Sequence, residues 1–178
     1  MICCDLDGVL GDFCKSACRL FGKEHIESER KIGCVSDYIG VSINKFWREI
    51  DLAGEDFWAN IEPYPYFDDI VKLISKYDNN FIVLTSPSKH PTSYSGKKLW
   101  MNKYLKRNEV VCCPAKLKYR FLYNSILIDD NLDTIKIVKE KNMSGTLFLQ
   151  TWNTESSFPI HGANQLLDLD RMLYEFHK

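Results

Sequence analysis

Met1-Ile2-Cys3-Cys4-Asp5-Leu6-Asp7-Gly8-Val9-Leu10 opens the chain. Residues 1–4 are a short apolar run, too brief for a helix, and predict a buried strand. Two carboxylates follow at its carboxyl end, and Gly8 permits a sharp turn there. Open α/β sheets bind ligands in the crevice at the carboxyl ends of their strands. The decapeptide therefore sets both a fold expectation and a place for chemistry, with one aspartate able to attack as a nucleophile while the other shuttles a proton. An isolated Asp-x-Asp is commonly a solvated turn, so the weight of this reading comes from the rest of the chain.

Working outward, the apolar runs at 81–84, 110–113, 125–128 and 146–149 predict further buried strands. Helical spacing lies between them. Ile70, Val71, Leu73, Ile74 and Tyr77 form one face; Leu99, Tyr104 and Leu105 a second; Leu132, Ile135 and Val138 a third; and Leu166, Leu167, Leu173 and Phe176 close the chain. Strand alternating with helix predicts an α/β fold, a Rossmann-like parallel sheet of about five strands flanked by helices. Residues 13–66 break the alternation. Phe13, Ala17, Leu20 and Phe21 mark one amphipathic helix and Ile43, Phe46, Trp47 and Ile50 another, with no convincing strand. Glu62-Pro63-Tyr64-Pro65-Tyr66 then returns the chain to the sheet, since neither proline favours continuing a helix. The expected organisation is a core of 1–12 and 67–178 with a small helical cap, 13–66, inserted after the first strand.

Length and composition are consistent with a single globular domain: 178 residues, 45% hydrophobic and 26% charged. Twenty-three Lys and Arg against 24 Asp and Glu leave a net charge of −1, so no global basic field attracts nucleic acid or a membrane surface. Positive charge for an anionic ligand must then be local. The seven cysteines lack zinc-site spacing, and the adjacent pairs Cys3-Cys4 and Cys112-Cys113 sit in apolar runs, so they read as reduced, buried small side chains. With a strand directly after Met1 and no apolar stretch near the ~20 residues of a membrane span, a soluble cytoplasmic protein is expected.

Ile126-Leu127-Ile128-Asp129-Asp130 is a second apolar strand ending in paired acids. Two such carboxylate clusters at strand ends would repel unless a cation lay between them, and a hard divalent ion with oxygen ligands, most simply Mg2+, answers that. Thr85-Ser86-Pro87-Ser88 offers hydroxyls and turn amides to phosphate oxygens, and Pro114-Ala115-Lys116 offers a cation just past another strand.

This ordered set resembles the haloacid dehalogenase superfamily of phosphohydrolases, with Asp5 and Asp7 matching its first motif, Thr85 the second, Lys116 the third and Asp129-Asp130 the fourth. Lys118, two residues on, is the alternative for the third. Within the superfamily the chain is similar to the 5'(3')-deoxyribonucleotidase family, through DLDGVLGDF at 5–13, FWANIEPYP at 57–65, TSP at 85–87, KKLWMNKYL at 97–105 and LIDD at 127–130. The stretch 22–51 matches only loosely.

The resemblance implies a nucleotide monophosphatase working through a phosphoaspartate. Asp5 would be the nucleophile and Asp7 the general acid and base. Mg2+ would be held by Asp5, the Asp7 carbonyl and Asp130, with Asp129 ordering the surroundings, while Thr85, Ser86 and Lys116 would bind phosphate. Phe13, Tyr38, Ile39 and Trp58 would line a base pocket that sandwiches one flat base, with Lys89 and Lys97 near the phosphate or sugar. The implied partner is a small nucleoside monophosphate and not a nucleic-acid polymer; a homodimer stays open. The other readings are a phosphatase for a different small ester or a nucleic-acid 3'-phosphate end, and a non-catalytic binding module on the same fold. Phe46, Trp47 and Trp100 read as helix packing, and Asp68-Asp69 as carboxylates at a helix N-terminus. His25, His90, His161 and His177 lack metal-ligand spacing, and the basic residues at 97–98 and 103–107 read as a solvated helix face.

Overall fold

Strands β1 (Ile2–Cys4), β2 (Ile82–Thr85), β3 (Val110–Cys112), β4 (Ile126–Asp129) and β5 (Ser144–Leu147) pair side by side in the computed structural model. Residues 1–31, 33–106, 109–153 and 163–178 are described, the last range without the side chains of residues 163 and 164. The sheet order is β3-β2-β1-β4-β5, and every pairing is parallel. Cys3 is in register with Ile82 on one side and Leu127 on the other. The chain moves outward from β1 to β3 and then returns to β4 on the opposite side of β1. That reversal opens a crevice at the carboxyl ends of β1 and β4, where this class of sheet binds ligands.

The expected Rossmann-like parallel sheet is present, with small shifts of register. β5 starts at Ser144, two residues before the expected run, because Ser144 and Gly145 pair with Ile126 and Leu127. Side chains alternate across β1. Ile2 and Cys4 join a core with Leu6, Val83, Ile128, Ile70, Ile74 and Leu173, while Cys3 joins Leu84, Leu127, Ile135 and Val138 on the other face.

Helices α1 (Phe13–Leu20), α2 (Val35–Ile39) and α3 (Ile43–Ala59) follow β1, and 13–66 holds no strand among the described residues. Polar side chains start two of them: Asp12 accepts from the Lys15 amide and Ser42 from the Lys45 amide. Gly54 interrupts α3 with φ 68°. Phe46, Ile50 and Trp58 of α3 pack into the same core as Ile2 and Cys4, so the insertion is anchored on one face of the sheet.

Helices α4 (Phe67–Tyr77), α5 (Thr92–Tyr104), α6 (Leu132–Glu140) and α7 (Ala163–His177) flank the sheet. Asp68 and Asp69 sit in the first turn of α4, facing the positive end of its dipole. In α5 the expected face is corrected. Leu99 is exposed, and the buried residues are Ser93, Gly96, Lys97, Trp100 and Met101, because the helix turns Lys97 inward beneath the sheet's carboxyl edge. A Cβ on Gly96 would stand 2.5 Å from the Trp58 Cβ and 2.6 Å from the Glu55 carbonyl oxygen, so glycine is what lets α5 approach α3. All seven cysteines are free thiols, and no described helix is long and apolar enough to cross a membrane.

Candidate active site

The β1 ladder continues one residue past the strand, the Asp5 amide donating to the Ile128 carbonyl at 2.9 Å. The chain then turns, with the amides of Leu10 and Gly11 donating to the Leu6 carbonyl at 2.9 and 2.8 Å. Gly8 has φ +86°, and a Cβ there would lie 2.4 Å from the Asp130 Cγ. Glycine is thus required twice, by the backbone and by the carboxylate against it. Buried Gln150 donates through Nε2 to the Gly8 carbonyl and to the Tyr66 hydroxyl, tying this turn to the region after β5.

Asp5, Asp129 and Asp130 each present an oxygen, and the three oxygens lie within 4.8 Å of one another. The remaining contacts fix each carboxylate. The Asn131 amide donates to Asp129 Oδ1 at 2.8 Å, Trp152 Nε1 to Asp130 Oδ2 at 3.0 Å, and Asn153 Nδ2 to the Asp130 carbonyl at 2.7 Å.

Two buried lysines face these acids. Lys118, in the 3₁₀ segment Ala115–Phe121, places Nζ 3.0 Å from Asp5 Oδ1 and 2.7 Å from Asp129 Oδ2. Lys97 donates to Asp7 Oδ2, to Thr85 Oγ1 at 2.8 Å and to the Ser86 carbonyl at 3.1 Å. Burial alone would lower the Lys118 pKa, but Asp5 and Asp129 outweigh it and the net shift is upward, so this lysine stays charged.

The acids carry the opposite bias. Burial, with repulsion from Asp5, raises Asp129 to about 6. Burial, then Asp129 and Asp5, pushes Asp130 well above the carboxylate range. Burial also raises Asp7, although Lys97 pulls it back. Three crowded carboxylates with oxygen-only donors, held unfavourably when all are ionised, fit a hard divalent cation.

The structure brings Asp5, Asp7, Thr85, Lys97, Asp129 and Asp130 to one edge of the sheet. Ser86 and Lys89 line the adjoining cavity, about 1100 Å³ in volume, as do Phe13 and Trp58. Lys116 is not in the cluster. It is exposed, and the cation reaching the carboxylates is Lys118, because the 3₁₀ segment turns residue 118 inward and residue 116 to solvent. Tyr38 and Ile39 also lie off the cavity. The Tyr38 hydroxyl meets the Ile26 backbone, and Lys23 Nζ stands 4.2 Å from its ring centroid, which turns the residue toward the 23–26 segment; Ile39 packs at the edge of the main core.

The aromatic sandwich is likewise corrected. Phe13 stacks directly on Trp58, with ring centroids 5.6 Å apart and planes at 22°, leaving no slot between them. Trp47, read from sequence as packing, is partly exposed and lines the cavity.

Arg30, Asp51, Gln150 and Trp152 went unread in the sequence, where nothing in their spacing distinguishes them from surface or core residues. Of the histidines, His90 bonds Thr92 at 2.8 Å near the start of α5, His25 meets Tyr38 edge-on, and His177 meets the Leu173 carbonyl. His161 and Arg107 lie outside the described residues.

No protein-family model and no curated protein matches the chain. Among solved structures it is similar to a hydrolase from Streptococcus pneumoniae TIGR4, with TM-score 0.52 and 12% identity over 84% of this chain and 92% of that one. It is also similar to a HAD-superfamily hydrolase, subfamily IA, variant 1, from Geobacter sulfurreducens PCA, with TM-score 0.51 and 11% identity over 94% of each chain. At these identities the likeness is one of architecture: this chain has the parallel α/β fold of those two hydrolases.

Proposed function

We propose that this chain is a magnesium-dependent phosphomonoesterase of the haloacid dehalogenase superfamily that hydrolyses nucleoside monophosphates, with 13–66 serving as the cap over the site. The observation that carries the reading is the division of labour after β1. Asp5 is paired with the charged Lys118 and sits in the three-carboxylate cluster, whereas Asp7 lines the cavity, held by Lys97 and with its pKa raised by burial.

In this reading an Asp5 oxygen attacks phosphorus and the ester P–O bond breaks, while protonated Asp7 gives its proton to the leaving oxygen. Asp7, now ionised, takes a proton from a water that attacks the aspartyl phosphate at phosphorus. The Asp5–phosphate bond breaks, inorganic phosphate leaves, and Asp5 is a carboxylate again. Lys118, Lys97 and the Ser86 hydroxyl offset the charge on the equatorial oxygens, and Thr85 positions Lys97. Mg2+ would be held by Asp5, Asp130 and the Asp7 carbonyl, where it supplies positive charge to the phosphate and relieves carboxylate repulsion.

The test is phosphate release from every nucleoside 5'- and 3'-monophosphate and from sugar phosphates, in magnesium and in excess chelator. Release from nucleotides that stops with chelator is expected. No release from any ester, or undiminished release in chelator, would overturn the assignment.

A further inference from the structure

The turn that follows β5 reaches back to the carboxylate cluster with three side chains. Gln150 donates to the Gly8 carbonyl, Trp152 Nε1 to Asp130 Oδ2 at 3.0 Å, and Asn153 Nδ2 to the carbonyls of Asp130 and Phe148 at 2.7 and 2.8 Å. The Gln150 amide closes the turn by donating to Asn153 Oδ1 at 2.8 Å. Asn153 therefore holds the Asp130 backbone, and Trp152 bonds the carboxylate itself. An indole N–H is a single donor on a rigid ring, so the place of the ring decides where Oδ2 sits. Gly8 lies against the same carboxylate, a Cβ there standing 2.4 Å from the Asp130 Cγ, so Asp130 is confined between the β1 turn and Trp152.

The ring is held in its turn by the helical insertion. Arg30, only 4% exposed, lays its guanidinium carbon 3.4 Å from the Trp152 ring centroid and donates from Nη2 to the Gly33 carbonyl at 3.0 Å. A Cβ on Gly33 would stand 3.8 Å from Trp152 Cδ1, which places that residue beside the ring. Arg30 Nε bonds nothing among the described residues, and no carboxylate pairs with the guanidinium there. A buried cation needs a compensating partner, and the face of the indole supplies one.

We propose that Trp152 is a positioning residue for a divalent cation at Asp130, and that Arg30 acts through it. The Trp152 N–H fixes one carboxylate oxygen, and Arg30 keeps the ring from swinging away, so Asp130 faces Asp5 in one orientation. Mg2+ demands near-ideal placement of its oxygen ligands whereas Ca2+ accepts a looser set, so a rigid carboxylate favours the smaller ion. The inference rests on the reading that Asp130 helps to hold Mg2+, and it goes beyond it in making cation affinity depend on the helical insertion.

The experiment follows the melting temperature of the substrate-free protein as MgCl2 or CaCl2 is added, which gives an apparent dissociation constant for each ion. Trp152→Phe keeps a ring beneath Arg30 and removes the donor. It should weaken Mg2+ binding by about 10- to 100-fold and Ca2+ binding by less, while its cooperative melt in chelator shows that it is folded. Arg30→Met removes a charge as well as a contact, so its effect is compared in two backgrounds. With Trp152 present it should weaken Mg2+ binding by about threefold or more beyond its effect in Trp152→Phe, where a purely electrostatic influence survives and positioning does not. Undiminished Mg2+ affinity in Trp152→Phe, equal losses for the two ions, or the same Arg30→Met effect in both backgrounds overturns the proposal. Failure of the unmodified protein to bind Mg2+ overturns both this proposal and the magnesium-dependent reading. If it binds Mg2+ but hydrolyses no ester, only the phosphatase reading fails, and the ion affinities of the variants still decide this one.

Discussion

Lys118 Nζ lies 3.0 Å from Asp5 Oδ1, and both side chains are almost wholly enclosed. The same ammonium bonds Asp129, so one lysine links the ends of the central strand β1 and its neighbour β4. A charge already held in place needs no reorganisation when negative charge develops on a transferring phosphoryl group.

That placement separates two lysines close in sequence. Lys118→Met should lower kcat for phosphate release by about 10² to 10³, while Lys116→Met, altering an exposed side chain, should stay within about twofold. Steady-state kinetics on the two variants checks this; a defect confined to Lys116→Met would contradict the geometry.

Asp5 and Asp7 should fail in different ways. With p-nitrophenyl phosphate, whose leaving group needs no proton, Asp7→Asn should release a stoichiometric burst of nitrophenolate and then turn over slowly, since phosphorylation of Asp5 proceeds and water activation does not. Asp5→Asn should give neither burst nor turnover. Rapid-mixing absorbance resolves the two phases, and a burst from Asp5→Asn would place the nucleophile elsewhere.

Raised carboxylate pKa values set a sign for the pH dependence of stability. Asp7, Asp129 and Asp130 titrate above their ordinary value of 3.8, Asp129 at about 6. Their contribution is present in full below 3.8 and is lost as pH rises through the folded-state values. In chelator the melting temperature should therefore carry a falling component from about pH 4 to 7, whereas Mg2+ should offset it, so the gap between the two curves widens with pH. A gap that is absent, or constant from pH 5 to 8, would contradict cation binding at these acids.

Gly96→Ala tests the packing that delivers Lys97. The added methyl would fall 2.5 Å from the Trp58 Cβ and 2.6 Å from the Glu55 carbonyl oxygen, so α5 must move away from α3. Urea unfolding should show a loss of about 1 to 3 kcal/mol. An unchanged midpoint would mean that the helices separate without strain.

The alternation of short apolar runs with helical spacing was enough to anticipate the five-stranded parallel sheet, because burial on both faces leaves a continuous apolar run in the sequence. Asp5, Asp7, Thr85, Asp129 and Asp130 were legible for the same reason: each sits at or just past the end of such a strand, so sequence position alone places it on the sheet's carboxyl edge. The choice of Lys118 over Lys116 was not legible, since it depends on the inward turn of a 3₁₀ segment that apolar periodicity does not signal. Lys97 was expected near the phosphate from the resemblance, but its burial within α5 was not legible, nor were Tyr38 turned away toward Ile26 and Arg30 stacked on Trp152. Strand ends are local features written in consecutive residues. The cavity walls are made by contacts between residues as distant as Arg30 and Trp152, and only the packing of the helical insertion against the sheet decided which side chains face it.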